Sequence, residues 1–228
     1  MKNNKSKVMS IIAIIALVAI LLVSGILAYL TSTDTKTNEF TIGSVKIKLL
    51  EPAWNGEGVV DTDGDGIPDF AENIASNAVI PKDPQIKNTG ENKAYVYLRV
   101  TIPVRNVKVA NLDGTLVSDE ATETPLFTYN VNSEDWTEIT SASEEIKNDQ
   151  DEVIEITHVY YYKEELEKDQ TTSPLFETVT FANIVDEPIE PLGKYSIKVD
   201  AYAIQSENIN DATIEGAYAI YVNQNRND

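Results

Sequence analysis

The residues best suited to chemistry in this sequence are acidic side chains that alternate along one short stretch. The run Asp61-Thr62-Asp63-Gly64-Asp65-Gly66-Ile67-Pro68-Asp69-Phe70-Ala71-Glu72 matches the twelve-residue calcium loop D-x-D-x-D-G-x5-E at each constrained position. Alternate carboxylates can converge on one cation, the glycine at position six permits a sharp turn, and the last glutamate can close the shell with both oxygens. The spacing predicts a calcium site with ligands from Asp61, Asp63, Asp65, Ile67 (through its carbonyl), Asp69 and Glu72.

The flanks of this loop differ from those of a regulatory EF-hand, which has a helix on each side and pairs with a second loop. Pro52, Gly56 and Gly58 precede the loop and disfavour a normal entering helix. Pro68 lacks the amide hydrogen that loop pairing would use. We therefore expect a structural calcium staple, in an insertion at about residues 55–77, rather than a sensor. The alternative is an acidic surface turn without a metal.

Composition argues against most catalytic classes. The chain has no cysteine, which excludes a thiolate nucleophile, and one histidine, which excludes an H-E-x-x-H metalloprotease helix. That residue, His158, lies in an alternating run and is predicted to be half-buried in a strand. We expect no enzyme activity and assign no catalytic residue. The net charge of -19 argues against a nucleic-acid partner, because phosphate binding needs clustered Lys and Arg.

The first thirty residues carry an export or membrane signal: Lys2, Lys5 and Lys7 precede 23 uncharged residues, from Val8 to Leu30. A run of this length can span a bilayer, so one interpretation is a membrane anchor. The small residue Ala28 favours the other interpretation, a signal peptide at 1–28 cleaved between Ala28 and Tyr29. Cleavage would remove three of the 18 basic residues and leave 15 against 37 acidic ones, a net charge of -22.

From Phe40 onward most apolar residues alternate with polar ones, which is the two-residue period of strands with one buried face. About seven such runs are present, at 45–49, 85–88, 95–102, 126–131, 153–162, 176–185 and 195–205. They predict an all-β domain at 43–228, a β-sandwich of the jelly-roll or Greek-key type. Acidic spacers are expected to be solvated loops, at 119–123, 141–151 and 164–172. Short helices are predicted near 68–76 and 211–222.

Short motifs at three places resemble one family of exported bacterial proteins. The first, Phe40-Thr41-Ile42-Gly43, is an F-x-x-G element before the first predicted strand; the others are IPKDPQIKNTG at 80–90 and AYAIQ at 201–205. Together they resemble the biofilm-matrix proteins of Gram-positive bacteria grouped with TasA and camelysin, and especially the BsaA-type branch. The resemblance implies a β-sandwich, export through a signal peptidase of the SipW type, and a structural role in the matrix. The metalloprotease activity associated with camelysin does not fit a chain with one histidine.

The segment at 29–42 is short, polar and rich in threonine, and its apolar residues stand at its two ends: Tyr29, Leu30, Phe40 and Ile42. An extended segment can add as a strand to the sheet edge of another molecule. Repeated head to tail, that contact makes a filament. A disordered tail is the simpler interpretation of the same segment.

The leading functional hypothesis is a secreted structural protein of the extracellular matrix and cell surface, which polymerises into fibres by donor-strand exchange of the segment at 29–42. Minor matrix proteins are candidate additional partners. The alternative is a monomeric, calcium-stapled adhesin or binding module, held at the cell surface by an uncleaved N-terminal helix.

Overall fold

The computed structural model describes residues 44–186, 195–209 and 212–225. The predicted signal peptide, its cleavage site at Ala28 and Tyr29, and the segment at 29–42 with Leu30, Phe40 and Ile42 lie outside the described residues. Within the described ranges, no helix has the length and apolar character needed to cross a membrane.

Strands dominate the described chain. They are β1 (Ile47–Leu50), β2 (Val79–Pro81), β3 (Gln85–Asn88), β4 (Ala94–Val109), β5 (Thr122–Pro125), β6 (Phe127–Tyr129), β7 (Trp136–Glu138), β8 (Glu144–Lys147), β9 (Val153–Tyr162), β10 (Thr178–Phe181), β11 (Ile184–Asp186) and β12 (Lys198–Gln205). The helices are α1 (Pro52–Asn55) and α2 (Ile214–Gln224), with single 3₁₀ turns at Asp69–Ala71 and Thr140–Ala142.

The strands form three antiparallel sheets. The largest has seven strands in the order β11-β4-β9-β7, with β12 and β5 also paired to β4 and β8 paired to β9. The two smaller sheets are β1-β3 and β2-β10-β6. A register such as Leu98 opposite both Ala201 and Tyr160 places core residues of neighbouring strands on one face of the large sheet.

The main core fills the space between the large sheet and the two smaller ones. Its fully buried members come from every sheet, for example Ile86 of β3, Val96 of β4 and Val179 of β10. Two opposed layers around one apolar core confirm the predicted all-β sandwich. The jelly-roll connectivity stays a prediction.

A second, smaller core lies on the opposite face of the large sheet, where α2 packs. Tyr97 of β4 is fully buried there, and its hydroxyl donates to the Ile214 carbonyl at 2.7 Å. Thr213 caps the helix by accepting from the Gly216 amide at 3.1 Å. The sequence-based expectation of one buried face on this strand was therefore wrong: Tyr97 and Thr101 are buried as well. The C-terminal helix itself is confirmed.

Other expectations about local structure also need correction. Twelve strands form in the described chain rather than about seven, because strands of three or four residues are too short for periodicity to reveal. The acidic spacer at 141–151 contains β8, the spacer at 119–123 runs into β5, and the run at 176–185 divides into β10 and β11. The helix expected near 68–76 is only the turn Asp69–Ala71, whereas α1 forms in the proline- and glycine-containing flank.

Candidate metal site

The acidic loop is closed at its base by the backbone. Helix α1 precedes it, and the Asp69 amide donates to the Val60 carbonyl at 3.0 Å, which holds Asp69 beside the start of the loop. Pro68 is buried, whereas most of the loop is exposed. The loop is therefore held at its base and projects from the sandwich, so that its carboxylates are accessible to solvent.

Three carboxylates converge in this loop. Ligand oxygens of Asp61, Asp63 and Asp65 all lie within 4.8 Å of one another. The backbone produces this convergence: Gly64 and Gly66 have φ angles of 75° and 87°, a left-handed region that favours glycine. Both glycine amides donate to Asp61, at 2.7 and 3.0 Å. The turns that the sequence pattern requires are therefore formed.

Asp69 occupies a different position from these three. One of its oxygens accepts from the Thr62 amide at 2.7 Å and the other from the Thr62 hydroxyl at 2.6 Å. These hydrogen bonds, the hydroxyl first, hold the pKa of Asp69 below its ordinary value. Because its oxygens face Thr62, Asp69 is better placed to reach a cation through water than to bind it directly.

Glu72 lies within the electrostatic field of the loop. Its pKa is raised, chiefly by the negative charge of Asp63, then by desolvation and the charges of Asp65, Asp69 and Asp61. A carboxylate that is hard to ionise beside other carboxylates is a sign of excess negative potential. A bound divalent cation would relieve that repulsion.

The structure thus brings together three of the six predicted ligands, Asp61, Asp63 and Asp65. It places Glu72 close enough for their negative charge to raise its pKa. Ile67 lies in the same turn, where its amide donates to Asp65 at 2.9 Å. Oxygen donors in this arrangement suit calcium or magnesium rather than zinc.

Residues that the sequence analysis did not single out attach the loop to the sandwich. The Trp54 ring of α1 meets the Phe70 ring edge-on at 6.0 Å, and the Lys82 ammonium lies 4.7 Å from the Trp54 ring centre. Lys82 also lies 2.8 Å from Glu51, and both side chains are largely buried. The Ala53 amide donates to Asp83 at 2.7 Å. Lys82 and Asp83 belong to the Ile80–Lys87 stretch, but no local pattern connects them to α1.

The single histidine has a structural environment. His158 is half-buried on β9, as predicted, and its Nδ1 lies 2.8 Å from Glu138 of β7. The Ser143 hydroxyl donates to the same carboxylate oxygen at 2.8 Å. In the described ranges, the only group of three or more possible metal ligands is the aspartate cluster of the loop.

No family model matches this chain, and no curated protein matches it. The resemblance to the TasA and camelysin group therefore stays an interpretation of short motifs.

Proposed function

We propose that this protein is an exported structural protein of the extracellular matrix, that its loop at 61–72 binds calcium, and that its copies polymerise through the segment at 29–42. The observation that carries the proposal is that the all-β sandwich has strands with an unpaired edge. Among the described strands, β11 and β12 each hydrogen-bond to β4 alone. An unpaired edge is the surface to which an extended segment of another molecule adds.

Calcium binding is supported by the convergence of Asp61, Asp63 and Asp65 and by the raised pKa of Glu72. An ion in this loop would hold Phe70 against α1, because the Phe70 ring contacts Trp54 of that helix. Sites of this class outside cells bind at about 10⁻⁴–10⁻³ M, which suits extracellular calcium.

Polymerisation is tested with protein secreted from the full-length precursor, compared with a precursor lacking residues 31–39. The deletion keeps Ala28, Tyr29 and Leu30, so that the predicted processing site is intact. We expect filaments of uniform width from the parent protein by negative-stain electron microscopy, and folded monomers from the deletion. Filaments from both proteins, or from neither, contradict the proposal.

Calcium binding is tested separately by thermal unfolding with calcium or with a chelator. We expect calcium at about 10 mM to stabilise the protein by about 1–3 kcal/mol, the value for a ligand at ten to a hundred times its Kd. Asp63→Ala should remove most of this effect, whereas Asp119→Ala, at an exposed aspartate outside the loop, should not. Equal responses in the two variants would contradict a site in the loop.

The second candidate is an anchored, calcium-stapled binding module. The uncharged run from Val8 to Leu30 favours it, since 23 residues are enough to cross a bilayer. Intact-mass measurement of the cell-associated protein separates the two: a chain that starts at Met1 supports the anchored module, and one that starts at Tyr29 supports secretion.

A further inference from the structure

Five tyrosines gather on the face of the large sheet that α2 covers. Tyr97 of β4 lies opposite both Tyr202 of β12 and Tyr161 of β9, so these three side chains form one row across the sheet. Tyr218 and Tyr221 of α2 are three residues apart and share one face of the helix. All five belong to the second core, and we call them the tyrosine cluster.

Ring contacts connect four members of the tyrosine cluster. The ring centres of Tyr97 and Tyr218 are 5.1 Å apart, those of Tyr218 and Tyr221 are 6.3 Å apart, and those of Tyr221 and Tyr202 are 5.2 Å apart. These separations are typical of aromatic rings in contact. The contacts therefore form a continuous path from the buried ring on β4 to the ring on β12.

The contact between Tyr202 and Tyr221 differs from the other two. It joins a strand to a helix through two rings that are both half-buried, so that solvent reaches each of them. Tyr97 is fully buried and its hydroxyl donates to a carbonyl of α2, whereas Tyr218 and Tyr221 lie on the same helix. Partly exposed side chains reorient within picoseconds to nanoseconds, which brings the edges of the two rings together repeatedly.

The phenols on α2 keep their protons at neutral pH. Burial, and then the neighbouring Tyr202, raises the pKa of Tyr221, and burial is also the main cause of the raised pKa of Tyr218. A one-electron oxidant that acts on such a phenol must remove the proton together with the electron. The product is a neutral phenoxyl radical, which carries no charge to repel a second radical beside it.

We infer that Tyr202 and Tyr221 are a site of oxidative cross-linking, where the two phenols couple to give dityrosine. The oxidant is hydrogen peroxide acting through a haem peroxidase. Each tyrosine gives up one electron and one proton, and one peroxide molecule accepts both pairs and becomes two molecules of water. The two radicals join through the ring carbons next to their hydroxyls. Each of these carbons passes its hydrogen to the phenol oxygen of its ring, so that the protein loses two hydrogen atoms in total.

The new bond would fasten α2 to the sandwich. Of the eleven residues of this helix, only Ala217 is buried, so that few of its side chains are enclosed by the sheet. The chain has no cysteine and cannot use a disulfide for this purpose. The inference goes beyond the proposed function, because it requires neither calcium nor polymerisation.

Oxidation of the purified protein with hydrogen peroxide and a haem peroxidase tests the inference. The monomer is isolated by size exclusion, which removes bonds between copies, and is then digested with trypsin and a glutamate-specific protease. Cleavage after Lys198, Glu207, Glu215 and Arg226 places Tyr202 in fragment 199–207 and Tyr221 in fragment 216–226. We expect a product of the two fragments that is lighter than their sum by two hydrogen atoms. Absence of this product overturns the inference.

Two variants identify the pair that reacts. Tyr221→Phe removes the reactive hydroxyl and keeps the ring, so it should abolish the cross-linked product while the fold is retained. Tyr218→Phe is the matched control, because it lies one turn away in the same fragment, and it should leave the product in place. A product that persists in Tyr221→Phe, or that disappears in Tyr218→Phe, would assign the reaction to another pair and overturn the inference.

Discussion

At the scale of single residues, Gly90 is the position where a small change should have a large effect. A Cβ atom there would lie 2.3 Å from the Ser44 carbonyl oxygen and 2.6 Å from the Lys46 nitrogen, both backbone atoms that cannot move independently. We expect Gly90→Ala to destabilise the fold by about 1–3 kcal/mol, the usual range for overpacking. Thermal unfolding followed by circular dichroism measures this, and an unchanged melting temperature would contradict the close approach of residues 44–46 to this turn.

The Glu138 carboxylate should make stability depend on pH. Burial raises its pKa, but the hydrogen bonds from His158 and Ser143 outweigh burial and hold the pKa below its ordinary value of 4.5. A carboxyl whose pKa is lowered on folding stabilises the folded state above about pH 4.5, and this contribution disappears as the pH falls through the lowered pKa.

We expect Glu138→Gln to lower the free energy of unfolding at pH 7 by about 0.5–1 kcal/mol, since a third of the side chain is in solvent. The difference from the parent protein should shrink below pH 4. Urea unfolding at several pH values measures it. A difference that stays constant down to pH 3 would exclude Glu138 as its source.

The individual residues show which parts of the site a sequence can reveal. Alternate aspartates and glycines specify their own turn, so Asp61, Asp63 and Asp65 were found from spacing alone, and the backbone of Gly64 and Gly66 agrees. Partners distant in sequence were not found. The contact of Lys82 with Trp54 and Glu51 depends on how α1 folds back on the sandwich, and no local pattern encodes that.

At the scale of elements, the tryptophan of α1 should report calcium binding through a change in its fluorescence. The protein has two tryptophans, and Trp136 is 1% exposed in the core, so that its emission should be insensitive to the loop. Trp54 contacts Phe70, the tenth residue of the acidic loop. We expect calcium to change the emission of Trp54 and Trp54→Phe to abolish the change.

A fluorescence titration with calcium, and with magnesium for comparison, measures this coupling. Asp63→Ala should shift the midpoint to at least about tenfold higher calcium, because a ligand oxygen with its charge is lost. A midpoint that is unaltered by this substitution would place the ion outside the loop.

Strands β4 and β8 show how far periodicity predicts elements. Alternation in β4 located the strand and its main core face, but Tyr97 is also buried, because α2 packs on the other face from more than a hundred residues away. The sequence analysis did not predict strand β8, because its residues do not alternate between apolar and polar. Its sequence, EEIK, is mostly charged, and it is a strand because the edge of β9 offers backbone partners to it.

At the scale of the molecule, the net charge should govern assembly. The whole chain carries -19, and loss of the first 28 residues would make it -22. Copies of such a protein repel one another at low ionic strength, and salt, calcium or acid reduces the repulsion. We expect filament growth, followed by light scattering, to accelerate with added salt and with mild acid. Growth rates that ignore both conditions would contradict an electrostatic barrier.

The length of β4 determines how the sandwich would respond to being pulled along this strand. A pull applied at the two ends of the strand, at Ala94 and Val109, would be carried by all sixteen residues of β4. Its hydrogen bonds to β9 and β12 run across the strand direction. A pull along β4 therefore loads these hydrogen bonds in shear, all together, and the sandwich should resist extension until the whole set breaks at once.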